Sequence, residues 1–312
     1  MEHEAAMEIA PRLTLPQAVC VQDQYESKPY HTFPFLLVQH SIYGKKPVYV
    51  PFFIENVVSM PPQKVGQSVQ VPRLYRYVDR ENHIDTLIPI RLRSPAMKTT
   101  FGLGLSKDDQ QKAAAAAAAP KTEEQKKAAR GLRYTLNLEF NTLAPPDTEE
   151  GAWWALHKDI DAYNEADLRK NADVWYPNVG QPDPENPNEK IVRMGSVKIP
   201  KVDYLQGLHK SITRDRVSTN QATGETRAYS PCIGLSVPEA KVKTGCFVPE
   251  NDPVTGEPRN RCIEGTQIGR GAMVKCLISH PALYLMERQW GPRQVMEQAL
   301  KVAEGGIMEC VL

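Results

Sequence analysis

Leu132-Arg133-Tyr134-Thr135-Leu136-Asn137-Leu138-Glu139-Phe140 alternates between apolar or aromatic side chains and polar ones. Read as a strand, Leu132, Tyr134, Leu136, Leu138 and Phe140 share one face, and Arg133, Thr135, Asn137 and Glu139 share the other. A half-buried strand requires this period of two, because successive side chains leave a pleated backbone on opposite sides. The segment 141–146 (NTLAPP) ends the run.

Shorter runs of the same kind lie on both sides of it. Segments 33–38 (FPFLLV), 48–54 (VYVPFFI), 71–78 (VPRLYRYV) and 86–92 (TLIPIRL) are rich in aromatic and β-branched residues and are broken by proline. Downstream, 191–199 (IVRMGSVKI), a turn and strand within 203–218, 231–237 (PCIGLSV), 245–248 (GCFV), 271–285 and 295–302 read as strands, with turns at 223–225 and 251–261. The 26 prolines in 312 residues exceed the usual share of roughly 5%. They favour short strands joined by long loops over a helical bundle.

Two segments break this pattern. Residues 105–130 contain an alanine- and lysine-rich stretch with no apolar stripe, and read as a mobile insert. Residues 147–189 hold 3 Lys/Arg against 11 Asp/Glu, a net −8. The flanking parts are mildly basic, +4 over 1–146 and +5 over 190–312. Within the acidic insert, 148–150 can cap a helix whose face would carry Trp154, Ile160, Tyr163 and Leu168, and the four prolines of 176–188 make a loop. The expected layout is an N-terminal arm (1–30), one β-rich domain (31–303) carrying both inserts, and a C-terminal tail (304–312). The fold class is mainly β with a partly helical acidic insertion.

Catalytic signatures are missing. There is no G-x-S-x-G elbow, Walker A loop, H-E-x-x-H or G-x-G-x-x-G. None of the seven histidines stands in ligand spacing with another His or Cys. The four cysteines from Cys232 to Cys276 are 14, 16 and 14 residues apart, whereas zinc modules supply close pairs, so they read as small buried hydrophobes. Asp159, Asp161, Glu165 and Asp167 read as a solvated acidic face, or as a docking patch for a basic protein partner. A binding protein is therefore expected rather than an enzyme, with no cofactor and no metal. The opening MEHEAAMEIA lacks the basic and apolar regions of a secretory signal. No apolar run reaches the ~18–20 residues that span a bilayer. A non-secreted chain without a membrane segment is expected.

Single-strand binding needs cations along the phosphates and aromatic faces for the bases. Both are interleaved here. Arg73, Tyr75 and Tyr77 alternate with Arg76 on one run; Lys210, Arg214 and Arg216 follow one another on a second; Arg227 and Tyr229 lie two apart; Arg288 and Trp290 share a loop. These eleven residues are the expected nucleic-acid contacts.

A resemblance adds to this. The run Gly271-Ala272-Met273-Val274-Lys275-Cys276-Leu277-Ile278 is followed by PALYL at 281–285, Trp290-Gly291-Pro292 and RQVMEQALKV at 293–302. Together with 223–237 (TGETRAYSPCIGLSV) and the polar turn at 251–261, this resembles the end of the single-stranded-DNA-binding proteins of nucleocytoplasmic large DNA viruses, over about residues 220–303. The resemblance implies an OB-like β-barrel core and binding of single-stranded DNA with little sequence preference, in viral replication, recombination or repair. It places the chain in the host cytoplasm or viral replication site, the nucleus or the virion. The choice of DNA over RNA rests on it alone, since cations and aromatics serve both polymers. Self-association is compatible with this reading. The alternative is a structural or scaffolding protein, such as a minor virion component, acting through protein–protein contacts.

Overall fold

The computed structural model describes residues 28–38, 47–66, 68–105, 109–111, 134–219, 223–253 and 255–304. In chain order, the first strands are β1 (Leu36–Val38), β2 (Val48–Val50), β3 (Val57–Ser59), β4 (Gln63–Val65), β5 (Ser68–Asp79), β6 (Ile84–Pro89), β7 (Arg91–Arg93), β8 (Met97–Leu105) and β9 (Tyr134–Glu139). Helix α1 (Glu149–Trp175) follows, then β10 (Gln181–Pro182), β11 (Lys190–Met194), β12 (Val197–Pro200) and the short helix α2 (Lys201–Gln206). The chain continues through β13 (Thr213–Thr219), β14 (Thr226–Val237), helix α3 (Glu239–Thr244), β15 (Cys246–Asn251), β16 (Pro258–Ile263), β17 (Met273–Met286) and β18 (Gln289–Ala303). The expected N-terminal arm lies outside the described residues except for 28–30, the C-terminal tail except for 304, and the Ala/Lys-rich insert except for 105 and 109–111.

Fifteen of the strands form one mixed sheet, and β10, β11 and β12 form a small separate one. The spine is the long β17–β18 hairpin. The other edge of β17 pairs in turn with β8 at its start, β7 in its middle and β5 near its end. Its register against β18 shifts between Ser279 and Ala282, at Pro281, which has no N–H to give the ladder. Most ladders are antiparallel, but β18 runs parallel to β14 and to β15.

The sheet corrects one expectation. A closed OB-like β-barrel was implied by the family resemblance, and this is not the architecture. The sheet as a whole is mixed and branched: β8, β9, β14, β18 and β17 are joined in a ring of ladders, but β5 carries β3, β4 and β6 off the main path, β14 carries β13, and among the described residues that path runs on to end strands at β16 and β2. A closed barrel has no edges. Strands do form within most of the expected segments, but 191–199 is two strands, β11 and β12, β16 begins inside the expected turn at 251–261, and β8 lies in a segment not read as a strand.

Alternation sets the core. Leu136 and Leu138 of β9 are fully buried, and so is Phe140 just beyond it. They join Phe35, Leu92, Ile233, Leu235, Val274 and Ile278 in the main apolar cluster. Helix α1 covers this sheet. Thr148 caps it by accepting from the Gly151 amide at 3.2 Å, which spares one of the unpaired amides of the first turn. Ala152, Trp153 and Leu156 sit in the main cluster, while Leu168, Ala172 and Trp175 sit in a second one with Val71, Leu285 and Trp290. The acidic insert thus supplies a structural layer that spans both apolar clusters. Among the described residues, no helix is long and apolar enough to cross a membrane.

Candidate nucleic-acid interface

The antiparallel pair β13–β14 sets Arg216 opposite Tyr229 and Ser218 opposite Arg227. Opposed residues in a ladder project from the same face, and residues two apart repeat it. Arg216, Arg227 and Tyr229 therefore stand together. The Arg216 guanidinium lies 5.3 Å from the Tyr229 ring centre and 5.7 Å from that of Phe101, and the Arg227 guanidinium lies 5.3 Å from Tyr229. The sequence Phe101, Arg216, Tyr229, Arg227 is a line of alternating aromatic rings and cations.

Phe101 is absent from the sequence reading, and it is 69% exposed. The backbone puts it there. Gly102 has φ of 77°, and a Cβ at this position would come within 2.4 Å of the Ile268 carbonyl oxygen. Only glycine fits both constraints. The register of β8 against β9 shifts between Thr99 and Leu103 at the same place, so the strand bulges and turns Phe101 outward. The one signal in the sequence is the pair Gly102 and Gly104 behind an aromatic.

Arg214 precedes a bulge in β13 and pairs with Cys232. Its guanidinium covers Gly234, where a Cβ would approach Nη1 to 2.7 Å. Arg214 and Arg227 are exposed and have no ion pair among the described residues. Arg216 differs: its Nη1 donates to Glu139 Oε1 at 2.8 Å. Glu139 is the last residue of β9, on the polar face of the opening alternation.

The other expected contacts lie elsewhere. Arg73 is buried; it pairs with Asp167 at 2.9 Å and donates to Asn164 Oδ1 at 3.3 Å. Burial lowers its pKa, against the pull of Asp167. Tyr75 is a core residue whose hydroxyl accepts from the Phe53 amide at 3.3 Å and from Asn56 Nδ2 at 3.2 Å, and burial raises its pKa. Arg76 forms a two-pronged pair with Asp85 at 2.9 and 2.6 Å. Tyr77 is half-buried against the main cluster. Trp290 is fully buried, donates from Nε1 to the Leu205 carbonyl at 2.6 Å, and stacks on His209 at 4.3 Å. It is a packing residue and presents no free face. Lys210 and Arg288 are exposed, but neither joins the Phe101–Arg227 line.

Carboxylates of the acidic helix are engaged by neighbouring groups of the same chain, Asp161 and Asp167 largely buried and Asp159, Glu165 and Asp173 partly or well exposed. Asp159 accepts from the Tyr30 hydroxyl at 2.8 Å, Asp167 holds Arg73, and Asp173 holds Lys190 and Lys201, each at 2.8 Å. Asp161 accepts from the Ser211 hydroxyl and from the Ile212 amide at 2.9 Å, which pins the start of β13. His209 faces Glu165 at 3.0 Å and lies 3.9 Å from Asp161. Ser211, Asp161 and His209 therefore stand with the carboxylate in the middle. A nucleophile needs its base next to the hydroxyl, and this order does not provide one. Among the described residues no group of three or more His, Cys, Asp or Glu is arranged to hold a metal ion.

Neither protein-family models nor curated proteins gave a match to this chain.

Proposed function

We propose that this protein binds single-stranded nucleic acid, single-stranded DNA foremost, on the exposed face of β13 and β14. Arg214, Arg216 and Arg227 neutralise phosphates, and bases stack on Tyr229 and Phe101. The observation that carries this reading is the Phe101–Arg216–Tyr229–Arg227 line, whose cation-to-ring distances are 5.3 to 5.7 Å. Such a line offers flat apolar faces at the spacing of cations, as a flexible strand needs. Hydrogen-bond readout of base edges is not required, so little sequence preference follows.

The contact set is smaller than the eleven residues expected from sequence. Four of them, Arg214, Arg216, Arg227 and Tyr229, stay in the proposal, and Phe101 joins them. The test is an anisotropy titration of labelled oligo(dT) with the full chain and with Tyr229→Leu and Phe101→Leu. Each loss of a ring is expected to weaken binding by about 1–3 kcal/mol while thermal unfolding stays that of the parent. Equal affinities in all three proteins would refute the assignment.

A further inference from the structure

Glu139, the partner of Arg216, also lines a surface cleft of about 250 Å³. Ser230, the residue after Tyr229, lines it too, so the cleft adjoins the Phe101–Arg227 line. Met97, Phe140 and Trp153 are buried and make its apolar floor. Lys98, Asn141 and Glu150 complete its polar rim. The hydrogen bonds already made there leave acceptors over. Arg216 Nη1 donates to Glu139 Oε1 at 2.8 Å, and Asn141 Nδ2 donates to Glu150 Oε2 at 2.7 Å. Glu139 Oε2, Glu150 Oε1 and Asn141 Oδ1 have no hydrogen-bond partner among the described residues. A carboxylate only accepts, so the Asn141 amide must keep its oxygen as the spare group. The spare donors are the Ser230 hydroxyl and Lys98, which has no ion pair among the described residues.

We propose that this cleft takes one base of the bound strand, turned out of the stacked line, and that it favours a base with an exocyclic amino group, adenine, cytosine or guanine, over thymine. The inference rests on the assignment of the β13–β14 face to single strands. That face stays indifferent to sequence, and the cleft adds a preference at one nucleotide. Turning a base out of a single strand costs little, because there is no base pair to break. The floor meets the flat ring, and the rim meets its edge. A carboxylate or amide oxygen accepts from a base amino group, as Asp and Glu accept from cytosine N4. Each amino-bearing base also has an acceptor beside that group, which Ser230 or Lys98 can serve. Thymine offers a carbonyl oxygen in place of the amino group, and two acceptors repel.

Charge decides against other occupants. The carboxylates Glu139 and Glu150 are matched by the cations Arg216 and Lys98 at the same cleft. A phosphate would meet both carboxylates, and a lysine or arginine side chain of a peptide would meet both cations. A neutral ring with donors on its edge meets neither penalty.

The experiment is a set of anisotropy titrations of the full chain with labelled oligo(dT) and with the same strand carrying one central dA, dC or dG. Each substituted strand is expected to bind about five-fold tighter or more, the lower end of what a base-edge contact discriminates. A central dimethylated cytosine, which keeps the ring and loses both amino hydrogens, is expected to bind as oligo(dT) does. Ala96 lines the cleft, and Ala96→Phe, which fills it, is expected to bring the affinity ratios to one. Equal affinities of the parent for all strands would overturn this inference and leave the face assignment standing; binding to none of them would overturn both. A preference that survives dimethylation, or that survives in folded Ala96→Phe, would belong to the stacking line and would also overturn it. So would a labelled arginine peptide that binds the parent and not Ala96→Phe, which would make the cleft a peptide site.

Discussion

Arg216 donates to Glu139 at 2.8 Å on the same exposed face where its guanidinium meets Phe101 and Tyr229. Glu139 thus occupies one donor of the cation that lies between the two rings. Removing its charge with Glu139→Gln is expected to tighten binding of oligo(dT) at low salt by several-fold. It is also expected to steepen the salt dependence, because one more cation contact adds about 0.7 to the slope for single strands. An unchanged slope in the folded variant would show that Arg216 does not meet the backbone.

Arg73 and Asp167 form a pair that is almost wholly buried. Breaking such a pair leaves one charge without a partner, which costs about 3–5 kcal/mol. Arg73→Met is expected to lower stability by this order in urea unfolding, and to leave oligo(dT) affinity of the folded protein unchanged. A stable variant with weakened binding would return Arg73 to the interface.

Trp290 makes the complementary case. It is fully buried, so Trp290→Phe is expected to cost about 1–3 kcal/mol of stability by altered packing and loss of the Leu205 hydrogen bond. Affinity for oligo(dT) is expected to stay that of the parent. A stable Trp290→Phe protein with lost affinity would identify it as a stacking platform after all.

Acid is expected to destabilise the fold through two histidines. Burial lowers the pKa of His157 to about 4 and of His280 to about 3, and their rings are 5.9 Å apart. Asp161 acts in the opposite sense on His157. In the unfolded chain both titrate near 6.5, so the unfolded state takes up protons first as pH falls. Their stabilising contribution is full above pH 6.5 and is lost progressively below it, down to the folded values. Each pH unit in that window weighs about 1.4 kcal/mol per histidine. Urea midpoints at pH 7 and pH 5 measure the effect, and His157→Phe is expected to flatten it. Equal midpoints at the two pH values would contradict buried neutral rings.

How much of this was legible in the sequence depends on the distance over which each feature is set. The alternation at Leu136 and Leu138 and the Thr148 cap are local, and both were readable. The pairings of β17 with β5, β7 and β8 and of β18 with β14 join distant segments, which period-two patterns do not encode. Arg73, Tyr75 and Trp290 show the same limit at the site. An arginine beside tyrosines reads alike whether it faces solvent or a helix, and only Asp167, 94 positions away in the sequence, decides between them. Phe101 was missed because its exposure comes from the backbone at Gly102 and the nearby Ile268 carbonyl. Arg227 and Tyr229 stand side by side because a two-residue spacing on one strand suffices to place them together.

The most direct measurement is the affinity of the full chain for labelled oligo(dT) at two salt concentrations, alongside a triple variant Arg214→Gln, Arg216→Gln, Arg227→Gln. The parent is expected to bind at low salt and to weaken steeply as salt rises, with the triple variant losing the affinity and about 1.4 units of the slope, about 0.7 for each of Arg214 and Arg227, whose guanidinium groups no carboxylate occupies among the described residues. A parent that does not bind at low salt, or a folded triple variant that binds as the parent does, would contradict the assignment of this face to single-stranded nucleic acid.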